Sequence, residues 1–293
     1  TEEDCDWHNP ESRTSLECND SSSRPAIATR VPNMDQYRNI FLGFPIWWYI
    51  APTIINTFLE QYDLRDKTII PFATSGMSGM GKRILCIGDS NTWGYISGSG
   101  ERYEKNVRWT GKLAQMLGEN YEVIEEGMNG RTTAFTDKIE PGTAALDYLY
   151  PCLISQFPLD YIIVMLGTND TKTRYGVNTV EIGYGLDEVL LKIEETCRRK
   201  SQTPEKIVIA PADLYPKKDW IEFTAESAQK AGGLTEEYRS IAALHHAEFL
   251  SARDVLGAEC IGCDGIHFTE EGHRILAEAI ALIIKNKEAD ECF

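Results

Sequence analysis

RILCIGDSNTWGY, residues 83–95, runs from an apolar strand straight into Gly-Asp-Ser. Ile84, Leu85, Cys86 and Ile87 form a continuous apolar run rather than an alternation, the pattern of a strand covered on both faces. Gly88 ends the run, and polar Asp89, Ser90 and Asn91 follow where the chain would leave a sheet. The same unit recurs downstream. Apolar runs at 121–124, 161–166, 206–210 and, more weakly, 247–250 alternate with helically spaced segments at 109–117, 145–156, 179–199, 224–245 and 270–285. Strands alternating with helices predict parallel βαβ units, hence an α/β fold: a three-layer α/β/α sandwich around a parallel five-stranded sheet.

Upstream, SGMSGMGK at 75–82 clusters Gly and Ser between two apolar strands and reads as a boundary, dividing the chain into residues 1–80 and 81–293. The first part reads as a polar, loop-like stretch to residue 35, then a strand at 37–44, a helix at 51–62 and a strand at 67–72. That is a partial α/β segment of the same kind. One part of it, IFLGFPIWWYIAPTIINTFL at 40–59, carries no charge and has the length of a membrane span. Gly43, Pro45, Pro52 and Asn56 interrupt it, so a strand, a loop and a helix fit it better, and no membrane partner is expected.

The 293 residues suit one large or two modest domains, with an average globular composition of 42% hydrophobic and 25% charged residues. A formal charge of −16 argues against a nucleic-acid partner, whose phosphates call for Lys and Arg, and favours a small-molecule substrate. The eight cysteines are scattered and read as reduced, mostly buried thiols of a cytoplasmic protein. Cys260-Ile-Gly-Cys263 is the only C-x-x-C, and a zinc or redox role would need a context that the sequence lacks, so no metal is expected. Thr1 in place of an initiator Met reads as a fragment boundary, which leaves targeting open.

In a parallel sheet, ligands gather at the carboxyl ends of the strands. Four polar blocks fall there or just after the last strand: Gly88-Asp89-Ser90-Asn91, Gly127-Met128-Asn129-Gly130, Gly167-Thr168-Asn169-Asp170 and Asp264-Gly265-Ile266-His267. Singly, each could be a capping turn or a surface loop. Together they supply an acyl-transfer site. Ser90 is the candidate nucleophile and needs a base. His267, with Asp264 three residues before it in a helical or near-helical turn, supplies the base and the carboxylate that orients it. The N–H groups of Ser90 and Gly130 and the amide of Asn169 are candidate oxyanion donors. Asp89 and Asp170 read as turn-holding residues, His245 and His246 as ordinary helix residues, and His8 and His273 as lacking a partner. Trp93, Trp220, Phe223 and Ile266 are candidate walls of a substrate pocket, with ordinary core as the plainer reading.

These blocks resemble the SGNH hydrolases, the GDSL-like esterases and lipases, over residues 81–287. Asn91 stands where the older family label has Leu. KRILCIGDSNTWGY, VRWTGKLAQMLG, YEVIEEGMNGRTT, MLGTNDTK and DGIHFTEEGHRILA look like the arylesterase/acyltransferase branch. That resemblance implies hydrolysis of small aryl and alkyl esters, acyl transfer to alcohols, a Ser90–His267–Asp264 triad, an oxyanion hole completed by Gly130 and Asn169, and homo-oligomers. The absence of a G-x-S-x-G elbow separates the chain from the α/β-hydrolases. A carbohydrate acetyl-esterase is the alternative within enzymes.

Residues 33–76, NMDQYRNIFLGFPIWWYIAPTIINTFLEQYDLRDKTIIPFATSG, resemble the middle of a flavodoxin-like domain, with Trp47-Trp48 and Ser75-Gly76 in its flavin loops. The first strand and its phosphate loop are missing, as is the last strand. The segment therefore reads as truncated, with no tight binding of flavin mononucleotide. A flavin-binding electron-transfer module is the alternative of another class.

Overall fold

A computed structural model describes residues 9, 11–20, 22–46, 51–74 and 81–291. The chain divides into two compact units, Thr1–Gly81 and Lys82–Phe293. In the first, α1 (Arg13–Asn19) precedes a parallel pair, β1 (Asn39–Pro45) and β2 (Thr68–Thr74), connected through α2 (Thr53–Glu60). The stretch expected to be loop-like to residue 35 thus contains a helix. It forms because Ser12 caps it, accepting from the Ser15 N–H, and Arg13 pairs with Glu17 one turn on. The apolar stretch at 40–59 contributes β1 and then α2, and no helix among the described residues is long and apolar enough to cross a membrane. Trp47-Trp48 and Ser75-Gly76 lie outside the described residues.

The second unit is built on five parallel strands in the order β4-β3-β5-β6-β7: β3 (Lys82–Gly88), β4 (Tyr121–Gly127), β5 (Tyr161–Met165), β6 (Glu205–Ala210) and β7 (Glu248–Ser251). Because side chains alternate along a strand, Leu85, Ile87, Ile162 and Val164 point to one face. They pack there on α5 (Ala145–Gln156), α6 (Thr179–Arg199) and α7 (Ala225–Leu244). Ile84, Cys86, Ile163 and Ile207 point to the other, under α4 (Trp109–Leu117) and α9 (Glu270–Glu291). Both faces are dry, so each fully buried Leu or Ile contributes about 1.5–3 kcal/mol. This is the expected three-layer sandwich.

Two elements outrun their apolar patterns. β4 continues through Glu125 and Glu126 because it is an edge strand, and Glu125 is matched by Arg102 and Arg108. The last helix continues past Lys285 on charged residues, with Lys287 pairing to Glu205 and Glu248 on β6 and β7.

The strand order reverses between β3 and β5, since β4 lies on the far side of β3. A crevice at the carboxyl ends of the strands is the geometric result. The chain leaves β3 at Gly88, opposite Gly127 of β4 and Met165 of β5.

Candidate active site

Ser90 is the first residue of a single helical turn, α3 (Ser90–Trp93), placed directly on the end of β3. The Asp89 carboxylate caps that turn by accepting from the Asn91 N–H at 2.9 Å. Asn91 then reaches across to the other end of the chain: its Nδ2 donates to the Ile266 carbonyl at 3.3 Å, and its Oδ1 accepts from Phe268 N at 2.9 Å. The turn carrying Ser90 and the segment carrying His267 are therefore tied by side chain to backbone. Asn91 does more here than stand in for Leu.

His267 Nε2 lies 2.9 Å from Ser90 Oγ, and its Nδ1 lies 2.8 Å from Asp264 Oδ2. With the proton on Nδ1 donated to the carboxylate, Nε2 is left as the acceptor for the serine hydroxyl. Asp264 Oδ1 also accepts from the backbone N–H groups of Ile266 and His267, each at 3.0 Å. Burial pushes the Asp264 carboxyl up, but the His267 ring and these N–H groups outweigh it and hold the acid well below the usual range. The Asp264–His267 contact is not made across a helix. It is made in a turn through Gly265 at φ +75°, where a Cβ would fall 1.8 Å from the Tyr215 carbonyl oxygen.

Gly130 has φ +78°, which aims its backbone in a way that an L side chain resists. Asn169 opens the turn Asn169–Thr171 after β5, and its Nδ2 donates one hydrogen to the Arg131 carbonyl at 3.1 Å. That bond puts the amide beside the peptide next to Gly130 and leaves its second N–H uncommitted. Among the described residues, the N–H groups of Ser90 and Gly130 donate to no protein group.

The model of the family described as GDSL-like Lipase/Acylhydrolase matches residues 86–275. The chain belongs to the GDSL-like lipase/acylhydrolase family. Among solved structures, an aryl esterase of M. smegmatis is 37% identical over 70% of this chain and 99% of its own, with a TM-score of 0.66. A carbohydrate acetylesterase from Sinorhizobium meliloti is 34% identical, also over 70% of this chain and 99% of its own, with a TM-score of 0.66. A Flavodoxin family model matches residues 1–88. A comparison with curated proteins gives no match.

Around this GDSL-family core, the candidate pocket residues separate. Phe223 and Ile266 are 5% and 2% exposed and fill a satellite core with Leu214 and Ala231, so they are packing residues rather than open walls. Trp220 packs on that cluster and lines a groove of about 560 Å³ with Tyr215 and Thr224. Trp93 is half-buried beneath the Arg102 guanidinium, 5.0 Å from its ring centroid.

Several partners are invisible in the sequence. Buried Arg131 donates to the carbonyls of Gly88 and Glu126, closing the ends of β3 and β4, with its guanidinium 5.0 Å from the Tyr148 ring centroid. His245 ends α7 buried between Asp187 and Glu194, at 2.7 and 3.1 Å. His273 accepts from the first N–H of α4, at Trp109, and burial lowers its pKa to about 3, so it stays neutral. These two are structural partners rather than unpaired or ordinary helix residues. His8 lies outside the described residues. Cys260 is buried and Cys263 exposed, both as free thiols.

Asp170 is fully buried; its Oδ1 accepts from Thr133 N at 2.9 Å and from the Thr133 hydroxyl. Burial raises its pKa to about 6 in spite of those bonds. A carboxyl raised this way contributes stability that is present below about pH 4 and lost as pH rises through about 6. Asp170→Asn keeps an oxygen for both Thr133 donors. Urea titrations should show the variant gaining on the parent by on the order of 2–3 kcal/mol between about pH 4 and pH 7. A pH-independent difference would contradict this.

Proposed function

We propose that the chain is a serine esterase that hydrolyses small aryl, alkyl and acetyl esters through an acyl-enzyme on Ser90. The observation that carries this reading is the continuous hydrogen-bonded line from Ser90 Oγ to His267 to Asp264, at 2.9 and 2.8 Å. Ser90 Oγ attacks the ester carbonyl while His267 Nε2 takes its proton, and Asp264 stabilises the imidazolium that forms. The N–H groups of Ser90 and Gly130 and the Asn169 amide receive the developing oxyanion. His267 returns the proton to the departing alcohol. Water, or a second alcohol in the transfer reaction, is then deprotonated by His267 and attacks the acyl carbon; the bond to Ser90 Oγ breaks as His267 returns that proton to it.

Hydrolysis of p-nitrophenyl acetate tests the reading. His267→Ala should lose most of this activity, and turnover near the parental level in that variant would argue against His267 as the base.

Similarity to the Sinorhizobium meliloti carbohydrate acetylesterase favours a second reading, in which the alcohol part is a sugar. Acetylated xylan compared with aryl acetates separates the two. Neither reading calls for flavin mononucleotide. The purified protein is expected to lack flavin absorption.

A further inference from the structure

We propose that Tyr95 is a positioning residue for His267: its ring lies flat on the imidazole and, together with Ser97, braces the acid–base turn against Ser90. This rests on the reading of His267 as the base. The two rings are stacked with centroids 4.2 Å apart and planes 28° from parallel. Both hydrogen bonds of the imidazole, to Asp264 and to Ser90, lie at its ring nitrogens. Both bonds hold the ring at its edge, and the Tyr95 ring packed on its face limits rotation about the Cβ–Cγ bond.

Tyr95 is itself tied to the nucleophile, because its N–H donates to the Ser90 carbonyl at 3.0 Å. The loop that follows is closed by a bridge between Tyr95 and Arg102 and by Tyr103 N donating to Gly94 O at 2.8 Å. Two residues on, Ser97 reaches the same turn: its Oγ accepts from Asp264 N at 2.9 Å and sits 3.3 Å from Cys263 Sγ. One short segment after the nucleophile therefore grips both the base and its carboxylate. When His267 takes the serine proton, the cation forms against the electron-rich face of the phenol ring, which favours the charged state. Asp264, Asp89 and, at the start of α9, His273 are ionisable groups near His267. None of them holds the ring by its face.

The test is a comparison of Tyr95→Leu and Tyr95→Phe by kinetics on p-nitrophenyl acetate and by NMR titration of the His267 ring. Tyr95→Leu should lower kcat about three- to tenfold, leave KM within about twofold, and move both the acid limb and the His267 titration to lower pH. Tyr95→Phe, which keeps the ring, should restore most of kcat and the parent titration. An unshifted titration in Tyr95→Leu would overturn the proposal, as would a loss that Tyr95→Phe does not rescue. Because the titration is read without turnover, parent protein that hydrolyses no ester would overturn the esterase reading and still leave the Tyr95 contact decided by NMR.

Discussion

Ser90→Ala lowers kcat for p-nitrophenyl acetate by on the order of a million-fold, the scale seen when a serine nucleophile is removed from a working triad. The expectation follows from how little else Ser90 Oγ does. Among the described residues its one side-chain hydrogen bond is to His267, and the residue is 5% exposed at the mouth of the strand ends. Stability should change by only about 1 kcal/mol, the net worth of one hydrogen bond. Asp89 still caps the turn and Asn91 still ties it to residues 266–268. Circular dichroism and urea midpoints near those of the parent, with activity gone, are the expected pair of results. Turnover that persists in the variant would place the nucleophile elsewhere.

Asp264→Asn carries the second large effect, a fall in kcat of about 10⁴-fold. An asparagine oxygen can still accept from the Ile266 and His267 N–H groups, so the turn through Gly265 survives. The amide nitrogen then faces Nδ1 of His267, where it can only donate. That forces Nδ1 to accept and moves the ring proton to Nε2, which turns a donor rather than a lone pair toward Ser90. The base is lost by tautomer and not by distance. A variant with near-parental kcat would show that Asp264 holds the turn and nothing more.

The sheet is legible in the sequence because it is buried on both faces. Ile84–Ile87 and 161–165 read as strands from apolar runs alone, since no polar face interrupts them. Where tertiary pairing overrides composition, legibility fails. Glu125 and Glu126 look like the end of a strand, yet β4 continues because Arg102, Arg108 and Tyr148 meet the two carboxylates. α1 is hidden for a related reason: Arg13–Asn19 is polar and short, and its signal is the single capping hydroxyl of Ser12.

At the site, the residue types were legible and the ties between them were not. Ser90, Asp264 and His267 stand out by motif and by position after strands. Arg131, Asn91 and Tyr95 act through partners 40 to 180 residues away or through backbone carbonyls, and nothing local marks them. The turn at Asp264–His267 shows the same limit. The spacing is right, but the contact depends on a left-handed Gly265 pressed against Tyr215, a detail that a helical turn would not have required. Of the pocket candidates, Phe223 and Ile266 are sealed in a satellite core while Trp93 and Trp220 stay half-buried, a difference set by tertiary packing that residue type alone does not show.

The most direct test of the central claim is covalent labelling. The protein is treated with a fluorophosphonate ester, which reacts with an activated serine, then digested and mapped by mass spectrometry. A single adduct on Ser90, absent in His267→Ala, is the predicted result. Labelling at another residue, or no labelling of folded parent protein, would contradict it.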